Sequence, residues 1–171
     1  MKNFWHLVKR FVGSLQQKSI SEQDFLWVKE ILSDSEMALW KSMPENDQYH
    51  SIEVARRVDE SFEELEQVIL AAALLHDVGK AVSKAEVWIR VLATLLGLIT
   101  SGRQHQRWSQ RTGIRGKIGQ YLCHSIDGAL LLKEAGSDSL VVAWAGEHHL
   151  PEHQWTINPE IGNLLKLADN D

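Results

Sequence analysis

Cysteine is almost missing from these 171 residues: Cys123 stands alone, so no internal disulfide can form and nothing asks for an oxidising compartment. No window approaches the roughly 18 apolar residues needed to cross a bilayer. The first residues, MKNFWHLVKRFVGSLQQK, lack the uncharged core and small-residue cleavage site of a signal peptide, and the expected location is cytoplasmic. No stretch alternates apolar and polar residues as a half-buried strand does, which excludes a sheet protein and predicts an all-α fold. There is no internal repeat, heptad run or low-complexity tract. Acid is absent from Val87 to Ile126, where six basic residues occur: Arg90, Arg103, Arg107, Arg111, Arg115 and Lys117. Residues 21–66 have the opposite bias, with thirteen Asp or Glu against four Lys or Arg, and the net charge is −5. A basic stretch in an acidic chain is a candidate landing surface for an anion such as phosphate. The competing reading is a solvated face that balances nearby acids.

What is abundant is apolar residues at helical spacing. With 44% apolar content the chain can build one sizeable core, and seven tryptophans add bulk to it. Phe4, Leu7, Val8, Phe11 and Leu15 form the stripe of a first helix, whose packing on the core is preferred over lying on a membrane surface. Ser21–Asp24 reads as a cap before Phe25–Leu32, and Pro44 closes the segment containing Met37, Leu39 and Trp40. Asp47 can cap a helix carrying His50. Ser61–Glu64 has the capping-box pattern and opens a helix ending in Val68–Leu75 and His76. Lys84 to about Thr100 is an apolar helix suited to a core or a dimer interface, and Ser101–Gly116 is a polar, basic link expected to be mobile. A helix from about Ile118 to Ala135 stops at Gly136, Asp138 caps Ser139–His148, and Asn158-Pro159 starts the last helix. Residues 1–46 are expected to pack as N-terminal helices on a unit formed by 47–171, in one compact body.

Metal-capable side chains recur along this helical chain: His50, His76, Asp77, His124, His148, His149 and Asp169. Neutral imidazoles combined with carboxylates suit hard or borderline divalent cations. Adjacent helical residues diverge by about 100°, so His76 and Asp77 can share a cation only beyond a helix end, which Gly79 permits. The two oxygens of Asp77 can each serve a different ion. His50 and Asp169 then complete one site with His76, and His124 and His148 complete a second; His148 and His149 are expected to supply at most one ligand per ion. Any one of these histidines alone reads as an ordinary surface or core residue, and His6, His105 and His153 are assigned to that class. Asp127, one turn after His124, is a candidate to orient that imidazole through its second nitrogen.

The order His50, His76-Asp77, Asp169 resembles the signature of the HD-domain superfamily of metal-dependent phosphohydrolases, and His76-Asp-Val-Gly-Lys80 is similar to its HDIG subgroup. His124-Ser-Ile-Asp-Gly128 and His148-His149 resemble the corresponding elements of the binuclear, HD-GYP-related branch. The resemblance runs from His50 to Asp169. It implies a helical bundle of about seven to nine helices, ligand roles for all seven residues, two divalent ions with iron or manganese favoured, and hydrolysis of phosphoester or phosphoanhydride bonds. It also implies a substrate-phosphate contact for Lys80, one turn past Asp77. The chain departs from the pattern at Leu150–Trp155, which lacks the D-G-x-G-Y-P segment of cyclic di-GMP phosphodiesterases, and at Asn46, where relatives with a third metal place a glutamate.

Two divalent ions about 3.5–4 Å apart can lower the pKa of a shared water and present the resulting hydroxide to phosphorus. Asp77 and Lys80 are the expected catalytic residues, with Lys80, Arg103, Arg107, Arg111 and Arg115 as contacts to the phosphate oxygens. The expected partner is a small phosphorylated molecule, a nucleotide first; a stable nucleic-acid complex is not expected, since Trp108 is the sole aromatic residue within the basic link. Dimerisation through tryptophan-rich faces is left open. The rival reading is a signalling module that keeps the HD fold, and binds metal or nucleotide, without turnover.

Overall fold

The computed structural model describes residues 19–61, 66–83, 87–97, 100 and 102–170. They are helical throughout, with no strand among the described residues: α1 (Glu22–Ile31), α2 (Asp34–Ser42), α3 (Glu45–Asp59), α4 (Gln67–Leu75), α5 (Lys80–Ser83), α6 (Val87–Gly97), α7 (Gly102–Ser109), α8 (Gly113–Leu122), α9 (His124–Ala135), α10 (Ser139–Glu147), a 3-10 turn at Glu152–Gln154, and α11 (Pro159–Asn170). The stripe from Phe4 to Leu15 lies outside the described residues, as does most of the Ser61–Glu64 box. No described helix is long and apolar enough to cross a membrane.

Helix α4 is the hub. Every residue from Ile69 to Leu75 is buried, as expected for a helix apolar all round, which must be enclosed rather than laid on a surface. Helices α1, α2, α3 and α10 enclose it. Trp40 is fully buried and donates its indole N–H to the buried Ser51 hydroxyl at 3.0 Å, which satisfies the polar edge of a bulky ring. Trp144 packs edge-on against Trp155 on the far side. A smaller apolar cluster of Ile89, Ala93 and Ile118, covered by Leu96, Trp108, Tyr121 and Leu122, joins α6, α7 and α8.

Local chemistry sets most of the boundaries. Ser21 caps α1, and Ser33 with Glu36 forms a capping box on α2 that the apolar pattern does not reveal. Gly136 ends α9 with φ of 78°, Asp138 caps α10, and the Asn158 carboxamide oxygen accepts the Glu160 N–H at 2.8 Å. Asp47 does not cap α3: the helix already begins at Glu45 behind Pro44, and Asp47 instead pairs with Arg90 at 2.7 Å.

Two expectations are corrected. The basic stretch is a helical hairpin, α7 and α8, and not an open link. Trp108 and Ile118 give it an apolar face to bury, and Gly119 lets the two helices touch, since a Cβ there would stand 2.2 Å from the Ser109 nitrogen. The continuous helix expected across Cys123 is broken at that residue, whose φ of −99° and ψ of 7° turn the chain between α8 and α9.

The His76–Gly79 turn crosses the first turn of α9 glycine to glycine. A Cβ on Gly79 would stand 1.8 Å from the His124 carbonyl oxygen and 2.6 Å from the Gly128 nitrogen. Only Gly113 and Gly136 have positive φ among the described glycines, so Gly79 is required for close approach, not for an unusual backbone angle. Gly79→Ala is therefore expected to cost about 1–3 kcal/mol or more through forced separation of two backbones, read as a fall in Tm of about 2–4 °C per kcal/mol. Gly102→Ala, where an added Cβ meets nothing within 4 Å, should stay within about 0.5 kcal/mol of the parent in the same melt.

Candidate metal centre

The last carbonyls of a helix have no partner inside it, and three histidines supply one. His76, the C-cap of α4, donates from Nδ1 to the Ala73 carbonyl at 2.8 Å. His148, the C-cap of α10, donates likewise to Ala145 at 3.0 Å. His124 opens α9 directly after the Cys123 break, and its Nδ1 reaches the Tyr121 carbonyl in the last turn of α8 at 2.7 Å. A carbonyl only accepts, so Nδ1 holds the proton and Nε2 of the neutral ring is left as a lone pair. Asp127 is therefore not the group that orients His124.

Those lone pairs converge on two carboxylates. Oδ1 of Asp77 lies 3.2 Å from His124 Nε2 and 3.7 Å from His148 Nε2, while Oδ2 lies 3.3 Å from His76 Nε2. His149 Nε2 stands 3.1 Å from His124 Nε2. Asp169 Oδ1 lies 3.0 Å from His50 Nε2 and 3.6 Å from His76 Nε2. Two groups result, Asp77 with His124, His148 and His149, and His50 with His76 and Asp169; within each, the donor atoms all lie within 4.8 Å of one another. His148 and His149 thus share a group, contrary to the expectation of one per ion. Helix α10 has ended at Glu147, so the divergence of adjacent helical residues no longer governs them.

Unpartnered buried atoms test the fit to cations. His76, Asp77 and His148 are only 2%, 2% and 1% exposed, and His76 Nε2, Asp77 Oδ1 and His148 Nε2 have no hydrogen-bond partner among the described residues. Such orphans are rare in native interiors, and lone pairs that face each other repel. Ligands about 2.0–2.2 Å from a common cation stand roughly 3.0–3.6 Å from each other, the range of most of these approaches. The donor set therefore fits divalent ions, with Asp77 able to face both groups through its two oxygens.

Electrostatics agree. Burial holds the His148 imidazole down at about 4, so it is neutral at ordinary pH. Burial also pushes His76 down, but Asp77 and Asp169 outweigh it and leave that ring raised. Burial opposes ionisation of Asp77, yet the Lys80 ammonium and His76 hold its carboxyl well below the usual range. Asp169 is likewise held low, against burial, by the His50 hydrogen bond and His76. Lys80, largely buried, pairs through Nζ with Asp77 Oδ2. A buried and a half-buried carboxylate thus face the Lys80 ammonium and the His76 ring between them.

The arginines behave differently. Arg103, Arg107, Arg111 and Arg115 are exposed on the α7–α8 hairpin, and the depression that Arg107, Arg111 and Arg115 line contains none of the seven metal-capable residues. His105 hydrogen-bonds with Thr100, His153 is exposed, and His6 lies outside the described residues. Several supporting residues escape the sequence reading. Arg57 donates to the Ala168 carbonyl at 2.9 Å and anchors the end of α11 beside Asp169. Lys166 donates through Nζ to the His148 carbonyl. Tyr121, whose carbonyl receives the His124 Nδ1–H, stands three residues before it, and that one-turn spacing is the signal that could have found it.

A family model described as HD domain matches residues 48–171. The chain belongs to the HD domain family. Members of the HD domain family are generally metal-dependent phosphohydrolases that bind divalent metals. No curated protein and no solved structure matched the chain.

Manganese titration of the metal-stripped full chain, followed by elemental analysis after gel filtration, is expected to saturate at two ions per chain. Asp169→Ala should retain one ion and Asp77→Ala close to none. Full retention by Asp77→Ala would show that this carboxylate does not join the two groups.

Proposed function

We propose that this chain is a phosphohydrolase that cleaves a phosphoester or phosphoanhydride bond in a nucleotide or related small phosphorylated molecule. The observation that supports this most is the cluster of lone pairs, unpartnered and buried, around Asp77 in a member of a hydrolase family. His50, His76 and Asp169 would hold one divalent ion and His124, His148 and His149 another, with Asp77 between them. Iron and manganese suit this mixture of imidazole and carboxylate. When bound, such ions supply Lewis acidity toward a phosphoryl oxygen and lower the pKa of coordinated water.

The chain's own residues perform the rest. Three carbonyl-bound imidazoles present fixed lone pairs and need no reorientation as the site fills. Lys80 pairs through its ammonium with Asp77, and it would offset charge on non-bridging phosphate oxygens. Substrate approach is set by exposure: His149 is open to solvent and His50 is partly so, whereas His76, Asp77 and His148 form the floor. The paired histidines and the His124–Gly128 element support a relation to the HDIG subgroup and to the binuclear HD-GYP branch. After His149, residues 150–154 are exposed and Trp155 closes the segment, its indole donating to the Glu147 and Leu150 carbonyls at 3.1 Å. This segment lacks the D-G-x-G-Y-P sequence of cyclic di-GMP phosphodiesterases, which speaks against that particular substrate.

Protein reconstituted anaerobically with iron or manganese should hydrolyse at least one member of a panel of bis-p-nitrophenyl phosphate, nucleotides and dinucleoside polyphosphates. Asp77→Ala should lose metal and turnover together. Lys80→Ala should keep its metal and lose about 10²–10³ in kcat, the usual scale for one group stabilising transition-state charge. A fully loaded protein that hydrolyses nothing in the panel would instead support the non-catalytic reading.

A further inference from the structure

The depression that the hairpin arginines line contains none of the metal-capable residues, yet their arrangement is not that of an ordinary solvated face. Arg107, Trp108, Arg111, Thr112, Ile114 and Arg115 line a depression of about 580 Å³ where α7 turns into α8, a volume in the range of small-ligand sites. No acid lies among those residues. None of Arg103, Arg107, Arg111 and Arg115 has a side-chain hydrogen bond or ion pair among the described residues. Arg103 and Arg107 moreover stand four apart on α7, where like charges repel. In a chain of net charge −5, this is an uncompensated concentration of guanidinium groups.

The depression is also rigidly built. A Cβ at Gly116 would stand 2.0 Å from the Arg111 carbonyl oxygen, and one at Gly119 would stand 2.4 Å from the Trp108 carbonyl carbon. The turn that carries Arg111 is thereby seated directly on α8. Trp108 is held in the α6–α8 apolar cluster with part of its ring still accessible. Planar guanidinium groups match phosphate in bidentate fashion, and an accessible indole beside them offers a surface for a base. The depression lies at the N-terminal end of α8 and His124 follows its C-terminal end, so a helix of ten residues, about 15 Å long, stands between the two places.

We propose that the α7–α8 depression is a second anion site, separate from the metal centre, for a small ligand carrying two or more phosphates, in the class of nucleoside di- and triphosphates. It does not depend on whether the metal centre turns over substrate. The test is isothermal titration of the full chain with inorganic pyrophosphate and with ATP, in buffer containing EDTA so that no metal contributes. Binding of one ligand per chain is expected, weakened at least tenfold in Arg107→Ala/Arg111→Ala/Arg115→Ala and within twofold of wild type in Asp77→Asn. The triple variant should bind manganese in the wild-type ratio, which shows that its fold and metal centre are intact. Absence of binding by the wild type, or loss in Asp77→Asn with retention in the triple variant, would overturn the proposal. Vesicles containing phosphatidylglycerol distinguish the source of the phosphate: arginine-dependent pelleting without any binding of pyrophosphate or ATP would assign lipid headgroups and overturn the soluble ligand.

Discussion

Three hydrogen bonds from histidine Nδ1 to helix carbonyls govern the candidate centre. Each satisfies a carbonyl that the helix cannot, and each turns an imidazole so that its remaining nitrogen faces Asp77. A buried hydrogen bond of this kind contributes about 1 kcal/mol net, but its larger effect is directional. A ring free to rotate would have to be ordered when a cation arrives; here that ordering is completed during folding. The helix ends at Leu75, Leu122 and Glu147 are thus parts of the site, because each leaves a carbonyl for the histidine that follows.

Precision of this sort needs a stiff base, and the glycine-to-glycine crossing provides it. The turn bearing His76 and Asp77 touches α9 backbone to backbone at Gly79 and Gly128, so His124 and Asp77 are held at a separation that side-chain packing alone would leave adjustable. Beneath it, α4 is enclosed by four other helices within the largest apolar cluster. The α6–α8 unit rests on a much smaller cluster. It contributes Arg90 to the pair with Asp47, which joins it to the first turn of α3. Rigidity is therefore concentrated under the carboxylate floor, and the basic hairpin stands at the periphery.

The all-helical class and the gathering of distant metal-capable residues were legible in the sequence, because apolar spacing reports helices and because histidines and acids of this kind recur in a recognisable order. Gly136, Asp138 and Asn158 were legible too, since their caps depend on their own side chain or on the lack of one. What could not be read were features set by contacts between segments. Nothing local to Cys123 predicts a break; the apolar pattern runs on through it, and the His124–Tyr121 hydrogen bond forms only once the chain has turned. The α7–α8 hairpin reads as polar linker because its buried face is narrow and its close packing depends on glycines that resemble loop residues. His149 was misplaced by treating it as helical when α10 had already ended.

Charge links the metal centre to the molecule around it. The floor holds two ionised carboxylates beside the Lys80 ammonium and a His76 ring whose pKa they raise, while burial keeps His148 neutral at ordinary pH. Without cations, the site therefore retains lone pairs in repulsive contact, a cost that other packing must offset. Filling it with divalent ions relieves that repulsion and, by mass action, adds their binding energy to the stability of the folded chain. On the proposed reading, two divalent ions would outweigh the two carboxylates and Lys80 would add to the excess, so attraction of phosphate to the floor would follow metal occupancy. The hairpin arginines follow no such condition. Their guanidinium groups remain charged whatever the metal content, so on the two proposals the same chain would have one phosphate-attracting surface that depends on metal and another that does not.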